Sequence, residues 1–225
     1  MRCVWDRLGA ALVLLAAACV SQAFAQSPHT HEHSFQHAEE WATYFDDPKR
    51  DAWQKPHEVI NALKLAPDAV VADIGAGTGY FSVRFAHMLP QGRVYAVDVE
   101  SDMVKYLAER AKKENLPNLT PIAAAPDDPR LPAPVDLAIM VDVFHHVGDR
   151  ERYLQKLRNA IKPGGRVAII DFKVDATMGP PKSARIPPEQ VKADFKRAGY
   201  VLANEHTFLP DQYFLVFRLP RKGEK

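Results

Sequence analysis

The sequence predicts an α/β fold, a mostly parallel sheet with helices on both faces, and three observations carry that expectation. From residue 69 onward, short β-branched runs alternate with stretches of helical periodicity. One run, Leu137-Ala138-Ile139-Met140-Val141, is apolar at every position, as a strand covered on both faces must be. A glycine-rich segment, Gly75-Ala76-Gly77-Thr78-Gly79, joins the first such strand to the first such helix.

The elements follow in order. Strands are expected over residues 69–74, 93–97, 119–123, 135–141 and 166–172, with helices over 79–88, 102–114 and 149–161 between them. The last of these helices opens on Asp149 and runs into Lys162-Pro163-Gly164-Gly165, both boundary signals. The C-terminal part changes character: a helix over 188–198, then strands over 200–206 and 213–219. Leu209-Pro210-Asp211-Gln212 joins those two strands as a hairpin, so one sheet edge should be antiparallel. Ahead of this unit, Ala38, Trp41, Ala42, Tyr44 and Phe45 suit one amphipathic helix, broken at Asp46-Asp47-Pro48. A second helix over 56–63 carries Val59, Ile60 and Leu63 at helical spacing.

The N-terminus is different again. Arg2 and Arg7 precede an apolar run over residues 8–20, and Ala23-Phe24-Ala25 presents small residues at a cleavage position, the layout of a secretory signal peptide over 1–25. That run is shorter than the about 20 residues a stable membrane span requires. Cys19 offers a competing lipoprotein reading, but Leu15 stands four residues before it where such signals favour three. The expected location is periplasmic or secreted. Cleavage after Ala25 removes Cys3 and Cys19, the only cysteines, and so excludes disulfides and thiol chemistry from the remainder. With 25% charged residues and a formal net charge of +1, nothing points to a nucleic-acid partner.

The expected domains are thus the signal over 1–25, a His-rich leader with an N-terminal helix over 26–50, and the α/β domain over 51–225. His29, His31, His33 and His37 in the leader could chelate a transition metal; the plainer expectation is a polar leader with no metal site.

Chemistry concentrates at the ends of the strands. Gly75 and Gly77 lack a Cβ, so a ligand can lie directly against the backbone. A dinucleotide loop prefers a small residue three past its second glycine, where this chain has Tyr80; a nicotinamide cofactor is disfavoured. Asp98, at the tip of the second strand and 19 residues past Gly79, can accept both hydroxyls of a ribose. A helix N-cap is its alternative role. Asp73 suits a cationic ligand group, or else a hydrogen bond from the loop's own amides. After the third strand, Asp127 or Asp128 can accept from an exocyclic amine. Asp142-Val143-Phe144-His145-His146 closes the fourth strand. In open α/β sheets ligands bind outside the carboxyl ends of strands, and all four elements fall there.

Residues 73–79, Asp98, Asp127 and Asp128, and the block from Phe144-His145-His146 to Lys162-Pro163-Gly164-Gly165 resemble the class I S-adenosylmethionine-dependent methyltransferases, nearest to the quinone-biosynthesis and small-molecule group. The resemblance implies a Rossmann-like seven-stranded sheet of order 3-2-1-4-5-7-6 with strand 7 antiparallel. It implies S-adenosyl-L-methionine as cofactor, with Asp73, Gly75, Ala76, Gly77 and Gly79 around its methionine part. Asp98 and Val99 would meet the ribose and its surroundings, Asp127 or Asp128 the adenine, and Asp142 the methyl group. The acceptor would be a small molecule or lipid, with no nucleic acid and no stable membrane span.

Methyl transfer needs a general base only when the acceptor carries a proton of high pKa, and His145 and His146 are the candidates. The aromatics of the N-terminal helix and the proline-rich stretch over 178–188 are the candidate acceptor-selecting elements. A catalytically silent S-adenosylmethionine-binding module is the competing function class.

Overall fold

The computed structural model describes residues 37–221, 223 and 224. The expected signal peptide, Cys19, and His29, His31 and His33 lie outside the described residues.

One seven-stranded sheet organises the chain. Its strands are β1 (Val70–Ile74), β2 (Arg93–Asp98), β3 (Leu119–Ala123), β4 (Val135–Val141), β5 (Ile161–Phe172), β6 (Val201–His206) and β7 (Gln212–Arg218). They lie in the order β3-β2-β1-β4-β5-β7-β6, as expected. The pairs from β3 to β5 are parallel, while β7 is antiparallel to both β5 and β6. The helices are α1 (Ala38–Phe45), α2 (Arg50–Gln54), α3 (Pro56–Leu63), α4 (Tyr80–Met88), α5 (Ser101–Lys113), α6 (Arg150–Arg158) and α7 (Pro188–Arg197).

Side-chain alternation along the strands divides the core in two. Val71, Ile139, Ala168 and Phe214 face one layer with Leu63 of α3, Phe85 of α4 and Leu107 of α5. Ala72, Met140, Ile169 and Leu215 face the other, against Leu154 of α6 and Phe195 of α7. Burying each such aliphatic or aromatic side chain contributes about 2 kcal/mol before conformational entropy is charged. Local chemistry fixes the helix starts. Asp149 accepts the Arg152 amide at 3.1 Å as the N-cap of α6, and α3 and α7 each begin on a proline, which loses no hydrogen bond there.

Two sequence expectations need correction. The fifth strand begins at Ile161, not at residue 166: Ile161 pairs with Val135 and Arg166 with Leu137, so the Lys-Pro-Gly-Gly segment lies inside the strand as an irregularity rather than before it. Gly164 takes φ +82°, and a Cβ on Gly165 would sit 2.9 Å from the Val135 carbonyl oxygen. The backbone conformation accounts for Gly164 and the squeeze for Gly165. Helix α2 was not expected at all; one and a half turns are too short to show periodicity.

Candidate active site

The loop after β1 wraps around the tip of β2. The Gly75 and Ala76 amides donate to the Val97 carbonyl at 2.8 and 3.0 Å, and the Gly77 amide donates to Asp98 Oδ2 at 2.8 Å. Gly75, Gly77 and Gly79 adopt φ of +72°, +55° and +96°, which L side chains resist. Their reasons differ. A Cβ on Gly75 would come within 2.3 Å of Val143, and one on Gly79 within 2.7 Å of Leu107, so the protein itself excludes side chains there. At Gly77 the nearest atoms would be the Phe45 ring at 3.5 Å, so this glycine keeps its open side under α1.

Asp98 is buried, and burial raises its carboxyl above the usual range against the pull of the Glu100 and Gly77 amides. Each of its oxygens holds one backbone amide and retains a lone pair. Beside it Val99 is 55% exposed, an apolar side chain left bare at the strand tip. The Ala124 amide donates to the Asp98 carbonyl at 2.8 Å, so the loop after β3 starts next to this acid. Further along it Asp127 is exposed and Asp128 half-buried; Lys156 Nζ donates to Asp127 at 2.7 Å and the Arg130 amide to Asp128 at 2.8 Å.

Asp73 does not receive the loop amides. Ser82 of α4 donates to its Oδ2 at 2.5 Å, and the acid is buried. Burial pushes its carboxyl up from 3.8 to about 6, against the Ser82 hydrogen bond and the Arg50 charge. The folded protein therefore binds more protons than the unfolded chain between about pH 4 and 6, and this site loses stability as pH rises through that window. In the ligand-free protein Asp73→Asn should keep the Ser82 contact and remove the loss. Urea midpoints are expected to favour the variant by as much as about 3 kcal/mol at pH 7 and to converge below pH 4. A pH-independent difference would contradict this.

Helices α1 and α2 close over the loop. Phe45 stacks on Trp41 at 5.3 Å, and Asp46 accepts from Arg110 of α5 at 2.9 Å, which also donates to the Thr78 carbonyl at 2.9 Å. Tyr80, expected only to obstruct a pyrophosphate, lies between the guanidinium groups of Arg50 and Arg84, 4.0 and 3.9 Å from its ring centroid. Its hydroxyl donates to Asp51 of α2. Thr78 Oγ1 and Asp46 Oδ1 are buried without a hydrogen-bond partner among the described residues.

A second polar group lies at the ends of β4 and β5. Asp142 takes a left-handed φ of +60°, accepts from Gln212 at 2.5 Å, and has Arg50 Nη2 at 3.9 Å. Gln54 donates to Gln212 at 2.8 Å. Burial, then the nearby Asp171 charge, raises the Asp142 carboxyl. His145 and His146 sit in a single 3₁₀ turn, Phe144–His146, with ring centroids 4.1 Å apart and planes tilted by 39°. His145 enters the buried network: its Nδ1 lies 2.9 Å from Asp171 Oδ2, and its amide donates to the same carboxylate at 3.3 Å. His146 is on the exposed side. Burial pulls the His145 imidazolium down, but the hydrogen bond and charge of Asp171, with the charge of Asp142, hold it above its ordinary value.

Sequence reasoning missed Arg50, Gln54, Asp171 and Gln212. Asp171 had a signal, the one charge in the apolar run Val167-Ala168-Ile169-Ile170-Asp171-Phe172. The two glutamines had none, since 158 residues separate them. A cavity of about 270 Å³ lined by Lys64, Asp136, Lys162 and Arg166 lies at the opposite ends of the strands, away from these groups.

Comparison with known proteins bears on the domain type and the fold. Residues 72–167 match a family described as methyltransferase domain. A structure described as an S-adenosylmethionine-dependent methyltransferase from Aquifex aeolicus is 26% identical with a TM-score of 0.74, covering 79% of this chain and 96% of that one. Trans-aconitate 2-methyltransferase of Rhodopseudomonas palustris (strain BisB18) is 29% identical over 132 residues, 59% of this chain and 48% of that protein. A ubiquinone/menaquinone biosynthesis C-methyltransferase of Cupriavidus metallidurans is 30% identical over 117 residues, 50% and 47% respectively. The chain thus spans about half the length of the curated relatives it matches.

The residues at the loop fit the cofactor of such proteins. Gly77 leaves the space a Cβ would occupy, Asp98 offers buried acceptors beside it, Val99 supplies bare apolar surface, and Thr78 Oγ1 is a buried polar atom still in need of a partner. Residues 72–167 form a methyltransferase domain similar to those of class I S-adenosylmethionine-dependent methyltransferases, with S-adenosylmethionine as its cofactor.

Proposed function

We propose that this protein transfers a methyl group to a small-molecule acceptor, and that it does so after export. The observation that carries the first part is the Gly77 amide held by buried Asp98 next to bare Val99, an opening for a nucleoside at the strand tips. When bound, S-adenosylmethionine supplies an electrophilic methyl carbon on a sulfonium; the chain's task is to align the acceptor and exclude water. Gly75, Ala76, Gly77 and Gly79 line the methionine part, with Asp73 behind the loop. Asp98 holds the ribose, Val99 covers the adenine face, and Asp127 or Asp128 meets the adenine amine. Asp142 borders the methyl group.

His145 is the general base in this reading. Asp171 engages its Nδ1 and thereby orients the ring, leaving Nε2 as the nitrogen not engaged by that carboxylate. His146, on the exposed side, packs its ring beside that of His145.

The signal layout of residues 1–25 supports export. The test of the whole proposal is incubation of the purified protein with methyl-labelled cofactor and fractionated extract of periplasm and cytoplasm. Label is expected in a low-molecular-weight product; label that remains entirely in the cofactor would contradict methyl transfer.

A further inference from the structure

A second cavity, of about 340 Å³, opens where β5 and β7 meet the proposed site; Lys173, Val174, Pro188, His206, Gln212 and Tyr213 are among its walls. Gln212 belongs both to this cavity and to the Asp142 group, to which it donates at 2.5 Å. Asp171 and Tyr213 are direct partners across β5 and β7, so their side chains share one face of the sheet. That is the face on which Asp171 holds His145.

The cavity is built in advance. Arg185 donates to five carbonyls of the segment after β5, those of Lys173, Val174, Ala176, Met178 and Pro180, at 2.8–3.3 Å. Asp211 adds the Thr177 amide at 3.1 Å and hydroxyl at 3.2 Å. Five carbonyls on one guanidinium fix the wall that carries Lys173 and Val174. Two of the charged groups in the lining are already engaged: Lys173 Nζ donates to the Leu209 and Pro210 carbonyls, and Glu205 pairs with Lys192 at 2.8 Å. Asp175, a further lining residue, disfavours an anion.

Tyr213 carries the strongest clue. It is only 4% exposed, and its hydroxyl has no hydrogen-bond partner among the described residues. Buried hydroxyls are rarely left this way, because the group forfeits water and gains nothing in return. Burial, then the charges of Asp171 and Asp142, keeps the phenol protonated, so the group is a donor.

We propose that this cavity is the acceptor subsite, and that the acceptor is a small, neutral, largely apolar molecule with a phenol-type hydroxyl whose oxygen accepts a hydrogen bond from Tyr213. The proposal rests on the methyltransferase reading above. A volume near the lower end of the about 300–1,000 Å³ found for ligand sites suits one ring with a short substituent. In the transfer, the acceptor oxygen forms a bond to the methyl carbon as the carbon–sulfur bond breaks, the bonding pair stays on sulfur, and the hydroxyl proton passes to His145 Nε2. The sulfonium becomes a neutral thioether and the product is a methyl ether.

The test uses 4-propylphenol and propylbenzene as probes of the full chain, with affinities measured by calorimetry and cofactor affinity measured in parallel. The phenol is expected to bind at least about tenfold tighter than the hydrocarbon. Tyr213→Phe removes only the partnerless hydroxyl and should bring the two affinities together, with cofactor affinity unchanged. Val174→Trp, at a half-exposed wall position, should weaken both probes about tenfold. Equal affinities in the unmodified chain, no binding of either probe, discrimination that survives Tyr213→Phe, or indifference to Val174→Trp would each overturn the proposal. Intact phenol discrimination without cofactor binding would instead count against the methyltransferase reading and leave the cavity assignment standing.

Discussion

Gly77→Arg is expected to weaken S-adenosylmethionine binding at least about a hundredfold while the protein stays folded. The reasons are local. Gly77 holds φ +55°, and its open side meets only the Phe45 ring at 3.5 Å. A non-glycine residue in the left-handed region costs about 1–2 kcal/mol, which a domain of this size absorbs. The loss of affinity comes instead from a long side chain and a positive charge placed where a ligand backbone must approach, and from disturbance of the 2.8 Å bond between the Gly77 amide and Asp98. Gly75→Ala makes the contrast. Its Cβ would collide with Val143 at 2.3 Å, so it should lower Tm as well as affinity. Calorimetric titration of both variants with thermal unfolding separates the two outcomes; unchanged affinity in folded Gly77→Arg would remove the glycine loop from the site.

His145→Ala should lower kcat by about 10²–10⁴-fold with cofactor affinity unchanged, the ordinary range for loss of a positioned base. The pH profile carries more information than the size of the loss. A base must be unprotonated to act, so activity should rise with pH through a pKa above the ordinary 6.5, because Asp171 and Asp142 favour the imidazolium. Asp171→Asn removes the largest favourable partner and leaves the burial, so the midpoint should move down and activity at low pH should fall less steeply. A profile that stays in place in Asp171→Asn, or a His145→Ala enzyme with unaltered kcat, would assign the His145–Asp171 pair to structure alone.

How much of this was legible in the sequence depends on how far apart the interacting residues lie. The strands and helices of the α/β unit are local patterns; their order in the sheet came from the family resemblance, and only the antiparallel edge from the hairpin signal at Leu209-Pro210-Asp211-Gln212. The glycine loop is contiguous, so its position between β1 and α4 was readable from residues 70–80 alone. Its internal division was not: Val143 and Leu107, which explain Gly75 and Gly79, are distant in sequence.

Asp73 and Asp98 show the same limit. Both were identified as acids at strand tips, but which of them takes the loop amide depends on the packing of β2 against the loop. Gln54 and Gln212 carried no local pattern; only the fold places them together beside Asp142. Short α2 fell below the length at which periodicity speaks, although it supplies Arg50 and Gln54. The Lys-Pro-Gly-Gly segment misled for the opposite reason: its turn chemistry is real, but β4 pairs with the chain on both sides of it.

The N-terminal cap ties the site to residues outside the alternating strands and helices. Tyr80 opens α4 directly after the glycine loop, and two arginines clamp its ring, one from α2 and one from α4. Phe45 reaches the loop from α1.

The most direct measurement is competitive calorimetry on the purified protein with S-adenosylmethionine and a nicotinamide dinucleotide. The geometry of Gly77, Asp98 and Tyr80 leads to saturable one-to-one binding of S-adenosylmethionine that the dinucleotide does not displace. Binding of the dinucleotide in its place, or no heat with S-adenosylmethionine at any concentration tested, would contradict the site.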